Sequence, residues 1–317
     1  MSKQKDKRQI LFDLYSNQLK NLNELGLCEI DLIFENTYIC PICFKQFSET
    51  DLDTSKENFL TLEDAPPKSL GGKANTLTCK KCNNESGHII DFHLVEKLRE
   101  LDIHSFLPNT GSKVNLTHKG VKVQGIVKVS EKGIITITHL KKTNNPIYLK
   151  EYITKTKKDD ITELEFPASR VDFKKFEIAL LKTAYILAFE KFGYPLILSK
   201  AFDIIRNQLQ NPDDHIYPNG FWTTQSVFNK TNKGVHLITT EGFEGFQAIF
   251  ILETGNNSFG YGVYLPSSEK TLFQVVEKLK EQKAGFILRY ESFYESDYLS
   301  DISNQKLCAD FMKKRNT

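Results

Sequence analysis

Most of the residues that could do chemistry lie between positions 40 and 93. Cys40 and Cys43 form one Cys-x-x-Cys pair and Cys79 and Cys82 a second. Each pair offers two thiolates from a tight turn, and two such turns close a tetrahedral four-sulfur site suited to Zn2+. A closed site has no open position for water or substrate, so its expected role is structural. The 35 residues from Phe44 through Thr78 separate the pairs. That exceeds what a minimal zinc ribbon needs and leaves room for function. The interval holds Glu63-Asp64, Pro66-Pro67, Lys68-Ser69, Gly71-Gly72, Lys73 and Asn75, and Asn83 follows directly on Cys82.

Glu63, Asp64 and Asn83 are oxygen donors, which suit a hard cation such as Mg2+ or Mn2+ better than zinc. Such an ion stabilises charge developing on a phosphodiester while a nearby base activates water. Neighbouring residues on an ideal strand point to opposite sides. A site using both Glu63 and Asp64 must therefore lie where the strand ends and the backbone bends, and Pro66-Pro67 predicts such an ending. The two prolines and two glycines are also what any tight loop would carry.

The order carboxylate pair, proline, Lys-Ser, Gly-Gly, Asn, Cys-x-x-Cys-Asn resembles the HNH endonuclease family over about residues 38–95, under a fifth of the chain. The resemblance implies a ββα-metal fold stapled by zinc, and a metal-dependent endonuclease with DNA as the expected substrate. It implies Glu63 and Asn83 as metal ligands, and Asn75 falls within one residue of the asparagine that orients a general base. Lys68 and Lys73, on the loop, become substrate-binding candidates. Restriction or phage defence is the setting implied at the level of fold analogy. The chain departs from the family where a histidine base is expected and Asp64 stands instead. A carboxylate is the weaker base, with a reference pKa of about 3.9 against about 6.5. Asp64 then serves as a second metal ligand, or His88 or His93 supplies the base, or the site is inactive. The last case gives the alternative function: a zinc-containing adaptor that binds nucleic acid or protein without catalysis. A third reading places an enzyme site in residues 172–296, where no nucleophile elbow, P-loop or dinucleotide fingerprint occurs. Asp213-Asp214-His215 reads there as a loop.

The surrounding pattern predicts the elements that hold these groups. A helix is expected over 5–26, an extended segment over Thr61–Ala65, a loop over Pro66–Asn75 and a helix over Cys82–Arg99. His104–Lys113 reads as a linker. From Val114 the apolar period changes to two, predicting lysine-rich antiparallel strands. Asp172 is expected to cap a helix reaching Phe192, with Phe173 and Phe176 on its apolar face. A helix over 199–209, strands within 234–265, a helix from Ser267 or Ser268 to Lys283 and a final strand FILRYESF complete an α+β class. The implied division is an N-terminal helix (1–36), an HNH-like module (37–104) and an α+β body (113–317).

With 317 residues, 40% hydrophobic and 26% charged, the chain is expected to be globular. The most apolar stretch, Ile178–Phe189, is interrupted by Lys182 and is too short to span a bilayer. Nothing at the start resembles a signal peptide. A cytoplasmic protein with no membrane partner is the expectation. The net charge is +2, but residues 113–158 hold eleven lysines against two acids, a local +9. Lys119, Lys122, Lys141 and Lys142 are therefore candidate contacts to a nucleic-acid polyanion. A protein partner or a homo-oligomer is a further possibility for the body.

Overall fold

The computed structural model describes residues 6–28, 30–225, 232–282, 288–292 and 296–316. The chain opens with α1 (Lys7–Glu24), followed by two short paired strands, β1 (Tyr38–Ile39) and β2 (Gln46–Phe47). An antiparallel hairpin, β3 (Leu60–Ala65) and β4 (Lys73–Cys79), leads into α2 (Lys80–Ser86), a π-helical turn (Gly87–Asp91) and α3 (Phe92–His104). Next come β5 (Gly111–His118), β6 (Val121–Val129), β7 (Ile135–His139), α4 (Pro146–Lys155) and β8 (Glu163–Glu165). The remainder comprises α5 (Phe173–Phe192), α6 (Tyr194–Ile197), α7 (Asp203–Gln210), β9 (Trp222–Gln225), β10 (Gly234–Ile238), β11 (Gly245–Glu253), β12 (Ser258–Pro266), α8 (Leu272–Lys280), β13 (Tyr290–Ser292) and α9 (Ile302–Asn316). Every strand pairing among the described residues is antiparallel, so the class is α+β. No helix among the described residues is long and apolar enough to cross a membrane.

Two compact units result, and they do not follow the division expected from the sequence. The first unit comprises Met1–Val95, Asp172–Glu253 and Ser258–Thr317; the second comprises Glu96–Val171 and Thr254–Asn257. The cysteine-bearing segment therefore belongs with the large body. Contacts explain why. The Tyr194 hydroxyl accepts from the Ile39 amide at 2.8 Å and donates to the Ile39 carbonyl at 3.0 Å, and the Tyr185 hydroxyl donates to the Pro41 carbonyl at 2.5 Å.

In the first unit α5 is the central element. Apolar residues surround most of it, which is the pattern of a buried helix, and Asp172 caps it by accepting from the Lys174 and Lys175 amides. Phe173, expected on the core face, is exposed because it stands in the first turn. A five-stranded sheet of order β13-β10-β11-β12-β9 packs with it, and every residue of β11 except Glu253 is buried. In the second unit the sheet order is β7-β6-β5-β8. Strand β6 alternates buried Val121, Val123 and Val127 with exposed Lys122, Gln124 and Lys128. Tyr152 of α4 completes the small core with Val114 and Leu116.

Some boundaries depart from the sequence reading. The loop expected to Asn75 ends earlier, because β4 begins at Lys73. The helix expected from Ser267 or Ser268 begins at Leu272, and both serines are buried instead of capping it. Helix α4 lies beyond the alternating stretch, and like β9 and α9 it carried no clear periodic signal. The last strand covers Tyr290–Ser292, and the flanking residues of FILRYESF at 286, 287 and 293 lie outside the described residues.

Candidate metal and acid-base site

The four cysteines converge. Cys40 and Cys43 stand on the turn between β1 and β2, where Phe44 takes a left-handed φ of 58° and its amide returns to the Cys40 carbonyl at 2.9 Å. Cys79 ends β4 and Cys82 lies in the first turn of α2. All four sulfurs fall within 4.8 Å of one another, and Cys43 Sγ stands 3.8 Å from Cys79 Sγ. A tetrahedron with metal–sulfur bonds of about 2.3 Å has edges of roughly 3.8 Å, so the set fits a metal such as zinc. The Cys79 amide also donates to Cys40 Sγ at 3.4 Å. Among the described residues no other group of three His, Cys, Asp or Glu side chains meets the same geometry.

The hairpin carries the second constellation. Leu60 pairs with Cys79, Thr61 with Thr78, Leu62 with Leu77 and Glu63 with Thr76; the register then slips, so that Asp64 pairs with Ala74 and Asn75 is the extra residue. Such a bulge bends the strand and re-aims the side chains beside it. The strand end expected at Pro66-Pro67 is present, since β3 closes at Ala65, and the register shift between Glu63 and Asp64 lies before it. The following turn is tight. Gly71 has a φ of +88°, and a Cβ on Gly72 would lie 1.5 Å from the Pro66 carbonyl oxygen.

Glu63 faces inward and is 3% exposed. Its Oε1 meets Lys182 Nζ at 2.7 Å and its Oε2 accepts from the Thr78 hydroxyl at 2.7 Å. Lys182 also meets Asp91 Oδ2 at 2.6 Å. Burial pulls the Lys182 ammonium down, but the Glu63 and Asp91 carboxylates together outweigh it and hold the group above its ordinary value. Glu63, a ligand candidate by resemblance, is thus committed to an ion-pair network inside the protein.

The neighbouring candidates differ. Asp64 is half-buried and takes no hydrogen-bond or ion-pair partner among the described residues. Its carboxyl is raised by burial and then by the nearby Glu63 charge, against the opposing pull of Lys68. Asn83 donates its amide to the Leu62 carbonyl at 2.9 Å, which ties α2 to β3 and leaves its side-chain oxygen without a protein partner among those residues. Asn75 donates to Glu190 Oε2 at 3.4 Å. The other Glu190 oxygen is buried with no partner among the described residues. Burial, reinforced by the Glu63 charge and only partly offset by Asn75, pushes this carboxyl up to about 8. Lys68 and Lys73 are exposed beside the turn, and His88 is exposed on the π-helical turn. His93 is occupied, since its Nδ1 accepts from the Asp172 amide at 3.0 Å, and burial lowers its pKa.

Four polar residues were missed in the sequence: Thr78, Asp91, Lys182 and Glu190. A signal existed for two of them. Lys182 and Glu190 interrupt the most apolar helix eight residues apart, about 12 Å along its axis.

The lysine-rich segment is more balanced than its sequence window. Lys119 pairs with Asp160 at 3.3 Å, Lys122 with Glu165 at 2.6 Å and Lys155 with Glu151 at 2.6 Å. Lys141 and Lys142 are exposed between β7 and α4. The second unit holds fourteen Lys and Arg against nine Asp and Glu, a net +5. No family model matches this chain, and no curated protein or solved structure was found to be similar to it.

Proposed function

We propose that this chain is a metal-dependent, HNH-type endonuclease that hydrolyses phosphodiester bonds in nucleic acid, with DNA as the substrate. The reading rests on one observation: a β3–β4–α2 unit whose bulge parts Glu63 from Asp64, closed at its base by four clustered cysteines. Zinc in the cysteine site fixes the turn between β4 and α2. Asp64 and the Asn83 side-chain oxygen are the donors available for a Mg2+ or Mn2+ ion. Two protein oxygens, with water and substrate phosphate completing the shell, suit such an ion. When bound, the ion supplies charge neutralisation at the phosphoryl group. Glu63 acts from behind, fixing β3 to α5 through Lys182. His88, exposed and one helix away, is the remaining candidate base.

The engagement of Glu63 also favours a second reading, a zinc-stapled adaptor without catalysis, because a carboxylate bound by a lysine and a threonine is not free to hold an ion. One experiment separates the two. The purified chain is incubated with supercoiled plasmid, single-stranded oligonucleotide and RNA, in Mg2+, in Mn2+ and without added ion. Cleavage that needs the ion and is lost in Asp64→Ala supports the nuclease. Binding without cleavage under every condition, or cleavage unchanged in Asp64→Ala, overturns it.

A further inference from the structure

We infer that the second unit holds single-stranded nucleic acid in a cleft formed by the end of α3, the β5–β6 pair and residues 166–170. The inference rests on the proposed nucleic-acid substrate but not on hydrolysis. The cleft has a volume of about 480 Å3, within the rough 300–1,000 Å3 range of ligand sites. Four cations line it: Arg99, Lys113, Lys128 and Arg170. Among the described residues Lys113, Lys128 and Arg170 have no carboxylate partner, unlike Lys119 and Lys122.

Register places two of the four cations together. Lys113 pairs with Ile126, and Lys128 lies two residues further along β6. The two lysines are diagonal neighbours on one face, with Cα atoms about 7 Å apart. The acids of the cleft are already engaged. Glu96 meets Arg99 at 3.2 Å, and both Glu100 oxygens accept from the Ser169 hydroxyl at 2.8 Å. The cleft therefore carries an excess of positive charge, and no carboxylate among the described residues pairs with Lys113, Lys128 or Arg170.

An aromatic surface stands beside the cations. The Phe166 ring lies 4.6 Å from His104, tilted by 45°, and 5.9 Å from Phe106. Phe166 is also packed against the core of the unit, so its position is set before any ligand arrives. Cations that follow phosphates, next to a ring on which a base stacks, are the two components of single-strand recognition. A duplex keeps its bases stacked on each other and uses only the first component.

The test is fluorescence anisotropy of the full chain with a labelled oligothymidine, and with a duplex of the same length, across a salt series without added divalent ion. Replacing Lys113, Lys128 and Arg170 by Gln should weaken single-strand binding by about tenfold or more and reduce the slope of log affinity against log salt by about 2, at roughly 0.7 per phosphate contact. All three are exposed, so the variant should fold, as circular dichroism would check. Phe166→Leu should weaken single-strand binding by about tenfold with an unchanged slope, as lost stacking requires. Lys119→Gln with Lys122→Gln is the control and should change little. Binding and slope unaltered in the triple variant overturn the inference, as does a loss no larger than the control's. A chain that cleaves nothing but shows the expected losses leaves this inference standing and removes only the proposed hydrolysis.

Discussion

Glu190 gives the sharpest test of the packing around the hairpin. Its carboxyl is pushed from 4.5 to about 8, chiefly by burial and secondarily by the Glu63 charge. In the unfolded chain a glutamate ionises near its ordinary value, whereas the folded protein keeps the proton until about pH 8. Between those limits the native state binds more protons than the unfolded state, so this group makes stability fall as pH rises. Below about 4.5 the penalty is absent, and above about 8 it is complete. At 1.36 kcal/mol for each tenfold change the full effect is about 5 kcal/mol, and the partial exposure of Glu190 reduces this to about 2–3 kcal/mol. Glu190→Gln removes the ionisation while keeping an oxygen to accept from Asn75. Urea denaturation of both proteins at several pH values between 5 and 8.5 reads the effect directly. The variant should match wild type near pH 5 and exceed it by about 2–3 kcal/mol at pH 8.5. A difference that stays constant across the range would refute the reasoning, because groups common to both proteins cancel.

Three further outcomes follow from other contacts. Metal analysis should find one zinc per chain, and Cys79→Ser should lose it together with the stability of the first unit, since structural zinc contributes on the order of 10 kcal/mol; metal-free protein that melts like the holoprotein would contradict this. Lys182→Met should cost about 3–5 kcal/mol in urea denaturation by leaving two buried carboxylates uncompensated, and adding Glu63→Gln and Asp91→Asn should recover part of it. Gly72→Ala forces a methyl group against the Pro66 carbonyl, so amide exchange over residues 64–75 should accelerate while the zinc content stays unchanged.

Much of the site could be read in the sequence because its signals are local. Cysteine spacing depends on a turn, and the Asp172 cap depends on amides two and three residues away, so both were legible. The strand at Thr61–Ala65 and the alternation in β6 were legible for the same reason. What stayed hidden depends on contacts across long separations. Glu63 meets Lys182 across 119 positions, and no window of sequence carries that pairing. Lys182 therefore appeared as an interruption of an apolar stretch, when it is the cation that allows two carboxylates to be buried. The charge window failed differently. Ending at Lys158, it omitted Asp159, Asp160, Glu163 and Glu165, two of which pair with the lysines it counted. The unit boundary was missed because the cysteine turn is fixed by tyrosines more than 140 residues away.

The bulge joins these observations. Without it, β3 would continue its alternation past Glu63, and Asp64 would merely occupy the opposite face of a regular strand. With Asn75 inserted opposite, the register slips at the point where the inward carboxylate is held by Lys182 and the next one has no partner among the described residues. The buried network and the available donor are thus adjacent in sequence yet differ in role. Glu63 and Lys182 resist movement of β3, since separating them would leave charge uncompensated. Asp64 is attached to that fixed point by a single peptide unit, so its backbone is held close to the anchored Glu63. A metal-binding carboxylate on a rigid strand end loses less conformational entropy on coordination than one on a free loop. Under the proposed nuclease reading, an aspartate where a histidine base is expected would not by itself silence the site. Under that reading, activation of water would fall to the ion, and the fixed geometry of β3 would be a condition for activity.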